Sequence, residues 1–190
     1  MTDYNMADYT DINQLYINAV RQGNLADAEQ FILQGANIDT KDKDGMIALI
    51  TAAKCGHTDI VNLILEHNVC DAERDDKIYA AMWYAIYGGF IDIIKIFLDN
   101  GADVNRVTSD GYSPLMIATA SGKYGVVEFL LEHGADASFI SESGASAGLI
   151  AKAAGHKDIE ELLEEYENIS LSEEAQEVNT SSKPVRRLEL

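Results

Sequence analysis

The chain has 190 residues, 47% of them apolar, and its 14 basic and 32 acidic side chains give a formal net charge of −18. That length holds one domain or one short repeat array with a continuous core. The charge repels phosphate, so nucleic acid and anionic membranes are excluded as natural partners and a protein with a basic surface is favoured.

The opening stretch MTDYNMADYTD is acidic and lacks the basic segment and apolar run of a secretory leader. No segment reaches the about 18 consecutive apolar residues that would suggest a membrane span. Two cysteines, Cys55 and Cys70, make no disulfide framework and suit a reducing compartment. The expected location is cytoplasmic.

Residues 1–8 read as a short N-terminal extension. After them, Gly23, Gly56, Gly89, Gly122 and Gly155 recur every 33 residues, and Ala19, Ala52, Ala85, Ala118 and Ala151 run in step. A fixed period of this length marks a solenoid, in which each unit is too small to bury its own apolar face and must stack on a neighbour. The first unit carries Asn13, Gln14, Asn18 and Gln22 and reads as the polar N-terminal cap. The second, residues 42–74, shows the pattern in full. Asp44-Gly45 is a turn tip, repeated as Asp110-Gly111. Met46 to Lys54 is an apolar helix, closed by Gly56 in a left-handed conformation. Thr58 to His67 is a second helix with Ile60, Val61, Ile64 and Leu65 on one face. Asn68 ends it where other units have Gly35, Gly101 and Gly134, because asparagine is the usual substitute for glycine at such a cap.

Two columns of the second helix show where the array ends. One runs Ala28, Val61, Ile94, Val127, Glu160, and the other Ile32, Leu65, Leu98, Leu131, Glu164. A buried unpaired carboxylate is costly, so the glutamates should face water and the fifth unit should be the C-terminal cap. Beyond it, residues 168–190 form a polar tail with an acidic block, a Ser/Thr cluster and Pro184. Such a composition predicts disorder.

The segments DGYSPLMIATASG (110–122), EFLLEHGAD (128–136), AAKCGHTDIV (52–61), FLDNGADVN (97–105) and AGHKDIEELL (154–163) resemble ankyrin repeats. The resemblance covers residues 9–167 and implies an all-α solenoid of helix-turn-helix units with projecting hairpin loops. The family's Thr-Pro-Leu-His signature is degraded, as Ser113-Pro114-Leu115-Met116 and Ile47-Ala48-Leu49-Ile50. The resemblance also implies structural hydrogen bonds for His57 and His156. It implies non-enzymatic binding of a protein through hairpin tips and the exposed face of the inner helices.

Catalysis finds little support in the residues. His67 and His133 suit helix C-termini, and no His/Cys/Asp group has ligand spacing, so no metal or cofactor is expected. Ser113 has no base placed to activate it, and Gly88-Gly89 lacks the Lys-Ser/Thr of a phosphate loop.

The binding positions implied by the family include Met46, Lys54, Lys77, Tyr79, Trp83, Tyr87 and Tyr112 on repeats two to four, as the concave face. Repeat three departs most from the pattern. Lys77-Ile78 replaces the turn tip, so this hairpin must differ in shape. Tyr79, Trp83 and Tyr87 recur every four residues along one helical stripe, with Tyr112 expected to approach it. Met82 and Tyr84 are better placed for the core. Tyr and Trp are enriched at interface hot spots. The expected activity is that of a monomeric protein-binding module. Two other uses stay open. The tail is similar to C-terminal secretion signals of type IV effectors, which would export the chain to a host cytoplasm. Alternatively, the acidic surface would serve an inhibitor or immunity protein that neutralises a basic toxin or enzyme.

Overall fold

A computed structural model describes residues 11–67 and 74–181; among them are ten helices and no strand. The helices are α1 (Ile12–Gln22), α2 (Leu25–Leu33), α3 (Ala48–Cys55), α4 (Thr58–His67), α5 (Arg74–Gly88), α6 (Ile91–Asp99), α7 (Pro114–Ala120), α8 (Tyr124–Glu132), α9 (Ala147–Ala154) and α10 (Lys157–Ser181). The chain divides into a first unit up to Val104 and a second from Asn105 onward. In the first, α1–α2, α3–α4 and α5–α6 pair, inner helices α1, α3 and α5 stack in order, and α2, α4 and α6 stack outside them. In the second, α7–α8 and α9–α10 pair, with α7 on α9 and α8 on α10.

Local chemistry fixes the helix ends. Asp11, Asn24, Ser113 and Ser146 accept backbone amides at the N-termini of α1, α2, α7 and α9, satisfying donors that no helical carbonyl reaches. The five glycines of the repeat all have φ between 63 and 78°, a conformation cheap only without a β-carbon.

Three of these glycines also make room for the next repeat. A β-carbon at Gly23 would lie 2.7 Å from the His57 ring, and one at Gly56 would lie 2.7 Å from the Phe90 ring. Gly122 and His156 repeat the arrangement in the second unit. His57 Nε2 donates to the Arg21 carbonyl at 3.1 Å, so this ring ties one inner helix to the next pair. The first column read from sequence follows the same logic, while in the second Leu65 and Leu131 are buried and Ile32 and Leu98 half-buried. Ala28, Val61, Ile94 and Val127 are fully buried, whereas Glu160 is half-buried and Glu164 exposed.

The hairpins hang on one side chain each. Asp42, Thr108 and Ser141 stand at the same place in their repeats and accept the amides of Met46, Tyr112 and Ala145. Asp42 does most. Its side chain is 4% exposed. Oδ1 accepts the amides of Asp44 and Met46 at 2.8 and 2.9 Å. Oδ2 accepts from the Arg21 guanidinium at 3.1 Å and the Thr51 hydroxyl at 3.3 Å. Burial alone would raise this carboxyl; the bonds from the Met46 and Asp44 amides, Arg21 and Thr51 outweigh it and hold the group below its ordinary value.

Repeat three has no hairpin tip in this form. Its Lys77-Ile78 pair lies inside α5, which runs 15 residues against 8 for α3. Asp75 and Asp76 sit in the first turn of that helix, where carboxylates suit its positive end, and Ile78 is buried. The expectation of an altered hairpin therefore becomes an added stretch of inner helix. At the other end, the boundary drawn at Asn168 is crossed by α10, which continues to Ser181. The segment from Leu171 to Ser181 contains neither Gly nor Pro to stop it. The extension 1–8, Asn68, Cys70 and residues 182–190 lie outside the described residues.

Asp42→Asn should lower stability by about 2 kcal/mol at neutral pH, because amide donors and a guanidinium lose a charged acceptor. The folded carboxyl titrates below the unfolded one, so its contribution is complete above about pH 4 and disappears as pH falls through the folded value. Urea titrations should show the gap between wild type and variant closing in acid; an equal gap at both pH values would contradict the assignment. Gly23→Ala combines a strained φ with collision against His57. It should destabilise the first unit by at least about 1 kcal/mol, read as a lowered urea midpoint.

Candidate functional site

The expected binding residues fall into three situations. Lys54, on α3, sits between Met46 and Tyr84 in one cluster. Lys54 Nζ sits 3.9 Å from Met46 Sδ and 5.7 Å from the centre of the Tyr84 ring. Lys54 is exposed and Met46 and Tyr84 are half-buried. Position along α5 favours Tyr84 for the core alongside Met82. Met82 is there, at 1% exposure, but Tyr84 shares the half-exposed state of Trp83 and lies beneath the lysine. The cation over the ring face is a favourable electrostatic contact. Spacing along α5 alone could not show it, since Lys54 comes from another helix.

Lys77 and Tyr79 are tied into the fold. Lys77 Nζ meets Asp39 Oδ2 at 2.8 Å. The Tyr79 hydroxyl accepts the Asp103 amide and lies 3.4 Å from the Asp103 carbonyl. Tyr79 thus fastens the loop after α6 to the start of α5, a contact 24 residues away that periodicity does not encode. Tyr79 differs in this respect from the other two members of the stripe.

Trp83 and Tyr87 continue the stripe along α5. Trp83 is half-buried and Tyr87 is 58% exposed. Gly88, next to Tyr87, has no positive φ; it is small because a β-carbon there would strike the Phe90 ring. Tyr112, 42% exposed, belongs to the second unit, on the hairpin before α7.

Three of the four histidines, His57, His67 and His133, bond to backbone carbonyls. His67 and His133 donate through Nδ1 to the carbonyls of Leu63 and Phe129 at 2.9 and 2.7 Å, and the His133 ring lies 3.9 Å from that of Phe129. Among the described residues no three His, Cys, Asp or Glu side chains are grouped to hold a metal ion. Cys55 is a free, exposed thiol. Burial, then the Asp39 carboxylate, push the Tyr16 phenol far above its ordinary range. Tyr16 is fully buried and directs its hydroxyl at the Ile38 carbonyl, as a core tyrosine does. No helix among the described residues is long and apolar enough to cross a membrane.

The paired helices, the glycine-capped period and the hairpins define a repeat protein of the helix-turn-helix class. The family model for ankyrin repeats in three copies matches residues 16–108 and 70–141. The chain belongs to the ankyrin-repeat family, whose members generally work as non-enzymatic protein-interaction modules. No curated protein matches it in sequence.

Tyr87→Ala should leave the melting temperature within about 2 °C of wild type, because exposed positions rarely matter to stability. Tyr79→Phe should lower stability by about 1 kcal/mol through the lost bond to Asp103. Thermal unfolding of the two variants separates a surface aromatic from a structural one; equal losses would merge them.

Proposed function

We propose that this chain binds a protein partner non-covalently through the inner-helix face of its first unit. Met46 and Lys54 beside α3, and Trp83 and Tyr87 on α5, form the contact. Exposure of the Tyr87 ring on an inner helix carries the reading, because large aromatics left in water on the face the family uses for binding gain most from being covered. Tyr79 and Lys77 belong to the same helix and are tied to Asp103 and Asp39. Tyr112, exposed on its own hairpin, is a contact residue of the second unit by itself. The chain acts as a monomer, without cofactor or catalysis, in the cytoplasm.

A second reading, an inhibitor that neutralises a basic toxin or enzyme, rests on the net charge of −18 and on the exposed Glu161, Glu164 and Glu165 of α10. Such a partner would be steered in at low ionic strength and lost as salt rises.

Capture from candidate lysates by wild type and by Trp83→Ala/Tyr87→Ala, run together, tests the proposal. A protein held by wild type and reduced at least about tenfold by a folded variant is the expected result. Equal capture by both would remove the site from this face. Capture that disappears equally from both at moderate salt would favour the electrostatic reading.

A further inference from the structure

The cluster beside α3 holds an ammonium group on two weak acceptors. Lys54 Nζ lies 3.9 Å from Met46 Sδ and 5.7 Å from the centre of the Tyr84 ring. Neither the Arg21–Asp42 nor the Lys77–Asp39 ion pair involves it. A thioether accepts hydrogen bonds poorly, and a ring face offers the cation only its quadrupole. An oxygen in the place of either would be a much stronger partner.

Met46 can acquire one. Among the described residues Met82 and Met116 are 1% exposed, whereas Met46 is half-buried and keeps surface open to solvent. A peroxide therefore reaches the Met46 sulfur, and not the other two, while the chain is folded. A sulfur lone pair attacks one oxygen of hydrogen peroxide, and the S–O bond forms as the O–O bond breaks. The proton on the attacked oxygen passes to the departing hydroxide, which leaves as water. Sulfur gives up two electrons, and the peroxide takes them.

The distance already present suits the product. An S–O bond of about 1.5 Å followed by a charge-assisted N–H···O contact of about 2.8 Å, bent at the oxygen, spans the 3.9 Å between Met46 Sδ and Lys54 Nζ. Lys54 needs no new position to receive that oxygen. The hairpin needs no new shape either, because the Met46 backbone is fixed at both of its polar groups. Its amide donates to Asp42 Oδ1 at 2.9 Å, and its carbonyl accepts the Asp42 amide at 2.8 Å.

The geometry points to Met46 as a site of oxidative modification by peroxide, with Lys54 as the group that holds the sulfoxide oxygen. Oxidation turns a flexible apolar side chain into a polar one, and here the change falls inside the inner-helix contact proposed above. Its effect on a partner rests on that proposed reading, since a group covering Met46 would then meet an oxygen held by an ammonium. The chemistry itself belongs to the free chain and stands or falls separately.

The full chain would be treated with millimolar hydrogen peroxide while folded, digested with trypsin and followed by mass spectrometry. The peptide Asp44–Lys54 contains Met46 and no cysteine, so oxygen gained there belongs to Met46. Met46 should oxidise at least about tenfold faster than Met82 and Met116; equal rates would overturn the assignment. NMR of the intact treated chain reads the receiving group. The Lys54 ammonium protons should exchange with water at least about threefold more slowly than before treatment, held by the stronger acceptor, while those of Lys95 keep their rate. Met46→Leu, given the same peroxide, should show no slowing at Lys54, which separates Met46 from oxidation of the neighbouring Cys55 thiol. The Met46 amide should stay protected by Asp42. Unchanged Lys54 exchange once Met46 is fully oxidised, slowing that persists in Met46→Leu, or loss of the Met46 amide protection would each overturn the inference.

Discussion

The fold depends on the glycine that ends each inner helix. All five hold a positive φ, and Gly23, Gly56 and Gly122 also lie where the ring of His57, Phe90 or His156 needs space. One residue type thus meets two demands, a left-handed helix end and close approach of the following repeat. A repeat of this size cannot bury its own apolar face. Whatever seats one repeat against the next therefore decides whether either is folded. The identity of the ring is less constrained than the space for it, since histidine and phenylalanine occupy it in turn.

Asp42 adds a second kind of constraint. One buried carboxylate fixes the hairpin of repeat two from inside and reaches Arg21 in repeat one. Thr108 and Ser141 do the local part of this work with a hydroxyl and no charge. Hairpin shape is thus set by an acceptor at one position, and the charge is an addition that couples neighbouring repeats. Repeat three dispenses with the device by turning its hairpin segment into helix. That change places Lys77 and Tyr79 in ordered backbone and lengthens the aromatic stripe of α5.

Much of this was legible before the structure. The bounds of α4, the glycine caps and the exposed Glu164 of the last repeat follow from periodicity, because a helix end and a buried column leave repeated marks in sequence; Glu160, expected in water as well, is half-buried. The match of the ankyrin-repeat family to residues 16–108 and 70–141 agrees with that periodicity. What could not be read depends on partners distant in sequence or on cooperative helix growth. Nothing near Tyr79 announces Asp103, nothing near Tyr84 announces Lys54, and Asp42 gives no sign of Arg21. Lys77-Ile78 looked like a poor turn tip; with Asp75 and Asp76 before it, the same segment is a good helix start. The tail after Asn168 looked polar enough to be unstructured, yet it lacks a residue that would stop α10 before Ser181.

Binding on the inner helices of the first unit is what we propose. Hydrogen–deuterium exchange of the chain, alone and saturated with a captured partner, tests that placement most directly. Added protection should centre on residues 46–55 and 79–88, with the outer helices α2, α4 and α6 unchanged. Protection confined to those outer helices, with α3 and α5 exchanging as in the free chain, would contradict it.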